Sequence, residues 1–234
     1  MSRWKLIRTP KLHGFENMRS DLELFSAFEQ GQASSTLRVY SWWPQCISFG
    51  YSQKVEAEID LEKATALGWE IVKRPTGGGI VFHDTAEVAY SLVTEIDNPL
   101  LPAGLIPAYK KLSKAIIRAL KTLGLEAEIK KLSAESSKQK AILCFSYPAQ
   151  YEVVVGGKKI VGSAQKRGKR TLLQQGSIYV RNIEPPIWSL LKKPVREYNA
   201  VSVEELLGRE VSYHELSEAL TKGFEAELGI TFNE

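Results

Sequence analysis

Hydrophobic residues recur every three or four positions in three parts of the chain, which is the spacing of an amphipathic helix. The pattern predicts helices over residues 15–28, over residues 109–123 before Gly124, and from residue 212 onwards, where Ser212 and Glu215 form a capping box. A shorter helix is expected over residues 59–67 and ends at Gly68. The apolar positions that define the long helices are Phe15, Met18, Leu22, Phe25 and Phe28, then Leu112, Ile116, Leu120 and Leu123, then Leu216, Leu220, Phe224 and Leu228.

Short runs of β-branched and aromatic residues lie between these helices and predict strands over residues 37–43, 47–51, 69–73, 80–82, 88–93, 151–155, 159–163 and 177–180. Gly156 and Gly157 predict a two-residue hairpin turn between two of them. Residues 130–140 are polar and without periodicity, so we expect an exposed, mobile loop there. Strands and helices mix without a regular βαβ alternation, which predicts an α+β fold, and residues 1–234 are expected to form one domain.

The composition of the chain is that of an ordinary globular protein. Its 234 residues are 44% hydrophobic and 25% charged, and no apolar run approaches the roughly 20 residues that span a bilayer. We therefore expect a cytoplasmic protein without a membrane partner. The two cysteines, Cys46 and Cys144, form no CxxC pair, so neither a disulfide nor a metal site is expected, and Cys46 is interpreted as a core residue.

The net charge of +4 leaves two interpretations open, an ordinary surface or a basic face for an acidic partner. Nucleic acid is not the expected partner, because the aromatic residues do not alternate with a basic stripe.

A glycine-rich turn is the first candidate site. Residues 74–79, with the sequence RPTGGG, join two predicted strands and are followed by His83 and Asp84. Backbone N–H groups in such a turn can bind a carboxylate, a phosphate or a developing oxyanion, and Arg74 adds a permanent positive charge. Asp84 should point to the opposite side of the strand from His83, so the two are not automatically a catalytic pair.

The hairpin around Lys159 and the cysteine before it form the second candidate site. If the strand alternates regularly, Lys159 and Val161 share a face, and one of Lys158 and Lys159 can enter a pocket while the other stays in water. Gly162, Ser163 and Ala164 are small and allow a long ligand to approach the backbone. The thiolate of Cys144 is suited to attack an acyl thioester if a cation or a histidine lies nearby.

Taken together, these segments resemble the biotin/lipoyl protein ligase and octanoyltransferase superfamily. The resemblance rests on four motifs in the family's order. They are Trp43-Pro44 with residues 47–50 (ISFG), residues 74–79 with His83-Asp84, residues 159–165 (KIVGSAQ) and residues 175–178 (QGSI). Asn17-Met18 with Asp21 is similar to the family's N-terminal helix motif, and Cys144-Phe145 before Tyr151-Glu152 is similar to its cysteine-dependent octanoyltransferases.

This resemblance implies a mixed, mostly antiparallel sheet flanked by helices and a transferase that needs no cofactor. Cys144 would take octanoate from acyl carrier protein as a thioester and pass it to a lysine of a lipoyl domain of a 2-oxoacid dehydrogenase or of glycine-cleavage H protein. Lys159 would assist at the acyl carbonyl, and the glycine turn would line the acyl tunnel. The implied catalytic residues are Cys144 and Lys159, and the implied substrate-binding residues are Arg74, Thr76, Gly77, Gly78, Gly79, His83, Gly162, Ser163, Ala164 and Gln165.

Two departures keep an alternative open. The spacing after His83-Asp84 and the third glycine, Gly79, are closer to the lipoate–protein ligases, although Glu87 stands where those ligases have asparagine. The alternative is therefore an ATP- and Mg²⁺-dependent ligase that uses free lipoate, with or without a separate accessory subunit. A third hypothesis is a non-catalytic lipoate- or nucleotide-binding protein, such as one half of a split ligase.

Overall fold

The computed structural model describes residues 2–131, 151–182, 185–193 and 199–233. The strands are β1 (Ser2–Leu12), β2 (Thr36–Trp42), β3 (Cys46–Phe49), β4 (Glu70–Lys73), β5 (Val81–His83), β6 (Val88–Glu95), β7 (Glu128–Lys131), β8 (Tyr151–Val155), β9 (Lys158–Arg167), β10 (Thr171–Ile178) and β11 (Ile230–Asn233). The helices are α1 (Gly14–Glu29), α2 (Leu61–Ala66), α3 (Leu105–Thr122), α4 (Val203–Leu207) and α5 (Tyr213–Leu228). Two 3₁₀ segments, Val55–Ala57 and Pro185–Leu190, complete the described elements.

Eight strands form the main sheet in the order β11-β1-β2-β6-β10-β9-β8-β7, and three form a small sheet in the order β4-β3-β5. In the main sheet only the pairs that β1 makes with β2 and β11 are parallel, and the other five are antiparallel. The predicted α+β fold with a mostly antiparallel sheet flanked by helices is confirmed.

The strands of the main sheet alternate between two buried faces. Val39 and Tyr90 belong to the large core that α3 and α5 cover, whereas their neighbours Tyr40 and Ala89 pack on the other face with Met18 of α1. A sheet that is buried on both faces needs apolar or hydrogen-bonded residues at consecutive positions, as β2 shows with seven buried residues in a row. The small sheet has its own core, which includes Ile47, Phe82 and Trp69.

The predicted helices are confirmed, but the buried face of α1 differs in part from the expected one. Met18, Phe25 and Phe28 are buried, whereas Phe15 is 69% exposed and Leu22 40% exposed. The reason lies in polar packing, because Asn17 and Asp21 take two buried positions that the apolar pattern had left out. The stripe of α5 is fully buried as predicted, and Ser212 caps this helix by accepting from the Glu215 N–H.

Several strands differ from the expectation. The loop prediction for residues 130–140 is wrong at Lys130 and Lys131, which pair with β8, and residues 132–140 lie outside the described residues. Strands β1 and β11 are not predicted by the sequence pattern, because β1 carries Lys and Arg at its exposed positions and pairs with a segment from the far end of the chain. The hairpin turn is confirmed, with φ values of 56° at Gly156 and 80° at Gly157.

Among the described helices, none is long and apolar enough to cross a membrane.

Candidate acyl-binding site

The glycine turn connects β4 to β5, and the Arg74 side chain is hydrogen-bonded to its backbone. The guanidinium of Arg74 donates to the carbonyl oxygens of Gly77 at 2.8 Å and Gly79 at 2.5 Å, and also to the Ser48 carbonyl oxygen and hydroxyl, each at 3.1 Å. Arg74 is buried, so its charge fixes the turn in addition to lining the site. Since its donors bind the carbonyl oxygens of the turn, the backbone conformation of residues 77–79 depends on this side chain.

Of the three consecutive glycines, Gly78 has a positive φ, 91°, which side-chain-bearing residues rarely adopt. Gly50, which follows β3, packs so closely against the turn that a Cβ there would lie 2.3 Å from the Gly78 carbonyl oxygen. Glycine is therefore required at position 78 by the backbone conformation and at position 50 by close packing against the turn. A Cβ at Gly77 would meet nothing closer than Tyr51 Cε1 at 3.8 Å.

A narrow cleft lies between the turn, α1 and the central strands. It brings together six residues that the resemblance implies for substrate binding, namely Arg74, Thr76, His83, Gly162, Ser163 and Ala164. The lining is completed by Met18, Tyr40, Trp42, Ser48, Val81, Ala89, Gln175, Gly176 and Ser177. Most of the exposed lining is apolar, and the small residues of β9 leave room for a chain to lie against the strand. Such a cleft suits a flexible hydrocarbon chain.

A second, more open pocket adjoins the cleft. It shares Ser163 and Ala164 with the cleft and is further lined by Gly77, Gly78 and Gln165, together with Leu105, Ile106, Tyr109 and Tyr151. The predicted substrate-binding residues of the glycine turn and β9 thus line one of the two spaces, except Gly79, whose carbonyl accepts from Arg74. Lys159, the predicted catalytic residue on β9, lines neither space.

His83 is the centre of a buried polar cluster beside the cleft. Its Nδ1 lies 2.7 Å from Glu87 Oε1, its Nε2 lies 2.7 Å from Ser48 Oγ, and its ring stacks on Trp42 at 4.1 Å. A carboxylate only accepts, so Nδ1 donates to Glu87, and the Ser48 hydroxyl is the hydrogen-bond partner of Nε2. Glu87 Oε1 also accepts from Trp42 Nε1 at 3.1 Å.

Asp84 is not the partner of His83. Its carboxylate accepts from the backbone N–H groups of Ala86 and Glu87 in the turn between β5 and β6, and burial raises the pKa of this carboxyl group. The expectation that His83 and Asp84 need not form a pair is confirmed, and the carboxylate beside His83 is supplied by Glu87.

A second polar network fixes α1 against the sheet. Asp21 accepts from Arg38 Nη1 at 2.8 Å, Ser91 Oγ at 2.6 Å, Gln175 Nε2 at 2.7 Å and Tyr40 Oη at 3.2 Å. Gln175 in turn accepts from Thr76 Oγ1 at 2.8 Å. The network therefore connects α1 to the glycine turn through two side chains.

Lys159 is buried on β9, and its Nζ pairs with Glu152 Oε1 of β8 at 2.8 Å, whereas the neighbouring Lys158 side chain is 55% exposed. Of the two lysines, Lys159 is thus the buried one and Lys158 the exposed one, but Lys159 lines neither the cleft nor the adjoining pocket, so its predicted entry into a pocket stays a prediction. Cys144 lies outside the described residues, so its place relative to Lys159 and the cleft stays a prediction.

Cys46 is fully buried, and the pKa of its thiol is raised well above the usual value, mainly by burial and further by Glu70 and Glu87. Its interpretation as a core residue is confirmed.

Sequence analysis missed Tyr40, Trp42 and Glu87 as neighbours of the site. The sequence contained one signal of these neighbours, because the charged residue Arg38 stands between Leu37 and Val39 in a mostly apolar predicted strand. A charged residue at a buried strand position indicates that the second face of the sheet carries a polar site.

Comparison with known proteins agrees with this geometry. Residues 13–225 match the model of the lipoyl protein ligase A/B catalytic domain. The chain is 37% identical to octanoyltransferase LipM of Kyrpidia tusciae, over 98% of this chain and 88% of that protein, and 38% identical to octanoyltransferase LipM of Geobacillus kaustophilus, over 97% and 87%. The crystal structure of a lipoate-protein ligase A bound with ATP superposes with a TM-score of 0.80 at 27% identity, over 100% of this chain and 87% of that one. The chain therefore belongs to the lipoyl protein ligase A/B catalytic domain family.

Proposed function

We propose that this protein is an octanoyltransferase that moves an octanoyl group from a carrier thioester to a lysine of a lipoyl-type domain. The observation that carries the proposal is its similarity, over nearly the whole chain, to octanoyltransferases. The narrow apolar cleft beside the glycine turn supports it, because a medium hydrocarbon chain needs such a space. We further propose that residues 1–234 act as a single catalytic domain. The cytoplasmic location expected from the sequence stays a prediction.

The proposed chemistry has two steps through Cys144. Its thiolate attacks the octanoyl thioester carbonyl, the bond from that carbon to the carrier sulfur breaks, and the carrier thiol leaves with a proton. The acceptor lysine amine then attacks the Cys144 thioester, an amide forms, and the cysteine thiol is restored. No ATP or metal is needed, because the thioester already contains an activated acyl group.

In this proposal Lys159 assists at the acyl carbonyl, where an ammonium group stabilises the oxyanion of each tetrahedral intermediate. The burial of Lys159 on β9, whose residues 162–164 line the cleft, supports that role, and the role requires its Nζ to reach the acyl carbonyl from its pair with Glu152. The glycine turn, with Thr76 and residues 162–165, would hold the acyl chain. Acyl carrier protein is the proposed donor, and lipoyl domains or glycine-cleavage H protein are the proposed acceptors.

The test compares Cys144→Ala with a matched variant at the other cysteine. The wild-type protein, Cys144→Ala and Cys46→Ala are each incubated with octanoyl-acyl carrier protein, with and without an apo lipoyl domain, in the absence of ATP. Intact mass is then recorded for the enzyme and for the lipoyl domain. Without acceptor, wild type and Cys46→Ala should each gain one octanoyl group that hydroxylamine removes, and with acceptor that group should appear on the lipoyl domain.

Cys144→Ala should show neither product. Acyl transfer by Cys144→Ala at the wild-type rate would refute the thioester mechanism, and transfer by no variant at all would refute the proposed function. The Cys46 control separates a nucleophile from a buried thiol, because the chain contains only these two cysteines.

A second candidate is the ATP-dependent lipoate–protein ligase, which the similarity to the ATP-bound lipoate-protein ligase A structure favours. It is tested in a parallel reaction with free lipoate, ATP and Mg²⁺. Modification of the lipoyl domain in that reaction only, unchanged by Cys144→Ala, would identify the protein as a ligase.

A further inference from the structure

Four buried residues line the cleft beside the glycine turn where α1 meets the main sheet, and we infer from their burial and mutual packing that they form its closed end. Met18 of α1 and Tyr40, Trp42 and Ala89 of the main sheet pack together there, and each of the four is at most 5% exposed. At the other end the cleft shares Ser163 and Ala164 with the open pocket, whose Leu105 and Ile106 are 54% and 39% exposed. A chain that enters past Ser163 and Ala164 therefore ends against α1.

We propose that Met18 and Ala89 determine the length of the acyl chain that this protein accepts. The inference rests on the proposed function and goes beyond it, because it identifies the two side chains that select octanoyl among saturated acyl groups.

The other two residues at the closed end are held in place by hydrogen bonds. Tyr40 Oη donates to Asp21 at 3.2 Å, and Trp42 Nε1 donates to Glu87 at 3.1 Å. Changing either ring would leave a buried acceptor with fewer donors, so neither ring is free to vary in size.

Met18 and Ala89 have no comparable constraint. The Met18 sulfur receives a single weak contact, from Gln175 Nε2 at 3.5 Å, and Ala89 has no polar side-chain atom. Methionine is also flexible and fills irregular gaps in a core. The depth of the cleft can therefore change at these two positions while both polar networks stay intact.

Ala89 lies on β6 between β2 and β10, with its side chain on the face covered by α1. A larger residue there would extend into the closed end, because Ala89 itself lines the cleft. Replacing Met18 by alanine removes three non-hydrogen atoms from the same end. The two substitutions should therefore change the accepted chain length in opposite directions.

The experiment measures kcat/KM for carrier-bound hexanoyl, octanoyl, decanoyl and dodecanoyl thioesters with wild type, Met18→Ala and Ala89→Val. Wild type should prefer octanoyl. Met18→Ala should shift the optimum to decanoyl, and Ala89→Val should shift it to hexanoyl. Each methylene group that gains or loses contact with the protein should change by about fourfold the ratio of kcat/KM between substrates that differ in length.

The matched control is Val93→Ala, on the same strand and the same face, but in contact with Phe25, Phe28 and Leu173 outside the cleft. It should lower stability and leave the chain-length optimum at octanoyl. Met18→Val, with a smaller change in volume, takes the place of Met18→Ala if the latter does not fold.

An unchanged optimum in the folded variants, or a shift in the same direction for both positions, would overturn the inference while leaving the octanoyltransferase function intact. Absence of transfer from every donor by wild type would instead refute the proposed function, and the inference with it.

Discussion

The carboxylate of Asp21 should be one of the largest single contributors to the stability of this fold. Four donors converge on it from three strands, and its side chain is fully buried. Its charge partner is Arg38, whose side chain is 2% exposed. We predict that Asp21→Asn, which preserves the size of the side chain, destabilises the protein strongly.

The magnitude follows from the contacts. The amide of asparagine has one accepting oxygen, so its NH₂ group would face donors that the carboxylate now accepts, and the buried guanidinium would lose its counter-charge. Removing one partner of a buried pair costs about 3–5 kcal/mol. In a chain of this length that loss lowers the melting temperature by roughly 6–20 °C.

The assay is urea unfolding and thermal melting of Asp21→Asn beside Glu23→Gln. Glu23 lies on the same helix and pairs with Arg19 at 3.5 Å, but both side chains are more than half exposed. Neutralising Glu23 should change the free energy of unfolding by at most about 0.5 kcal/mol. A loss below about 1 kcal/mol for Asp21→Asn, or equal losses for the two variants, would refute the assignment of a stabilising role to the buried network.

Three further predictions concern the turn, the histidine cluster and a buried tyrosine. Gly78→Ala should lower the free energy of unfolding in urea by about 1 kcal/mol or more, because φ is positive at this position. Gly77→Ala should have little effect, and equal losses of stability in the two variants would contradict this. Glu87→Ala should cost more than Glu87→Gln by about 1–3 kcal/mol, since glutamine keeps an acceptor for His83 and Trp42, and reversal of that order would count against the assigned hydrogen bonds. Burial raises the pKa of Tyr90 to about 12 against the lowering effect of its hydrogen bonds to Ser163 and Gln174. Because this pKa is higher in the folded than in the unfolded state, its contribution to stability is complete below pH 10 and is lost as the pH rises toward 12. Between these values Tyr90→Phe should therefore make the fall of the free energy of unfolding with pH shallower by about 1.4 kcal/mol per pH unit. An unchanged slope in a pH series of unfolding curves would contradict the burial argument.

The parts of the fold that could be predicted from the sequence are those in which local pattern and tertiary burial agree. Helix α5 has a cap at Ser212 and an apolar stripe that points to one core, and both appear in the structure. The turn at Gly156 and Gly157 is likewise encoded by two residues that tolerate positive φ. Strand β1 could not be found in this way, because its parallel partners β2 and β11 are distant in the chain and its own residues alternate imperfectly.

The same division applies to the site. Motif residues on β9 and in the glycine turn were identified from their order along the chain, and the structure gathers most of them, but not Gly79 or Lys159, around the cleft and its adjoining pocket. The partners of those residues were not identified, because a hydrogen bond such as that between Thr76 and Gln175 joins positions 99 residues apart. Glu87 was noted as a departure from the ligases, and its contact with His83 gives that departure a physical meaning.

Helix α1 connects the stability of the protein with the proposed selection of its substrate. Asn17, Met18 and Asp21 lie within one helical turn, and all three face the sheet. Asn17 Oδ1 accepts from Arg38 at 2.6 Å, so the same guanidinium holds the helix at two points on either side of Met18. Because Met18 lines the cleft and is proposed to form its closed end, movement of α1 away from Arg38 would deepen that cleft. A purely apolar contact at this position would allow the helix to slide, whereas directed hydrogen bonds to a buried charge fix its position. In the proposed selection of chain length, the buried polar network would therefore be the reason why a flexible methionine acts as a fixed end of the cleft.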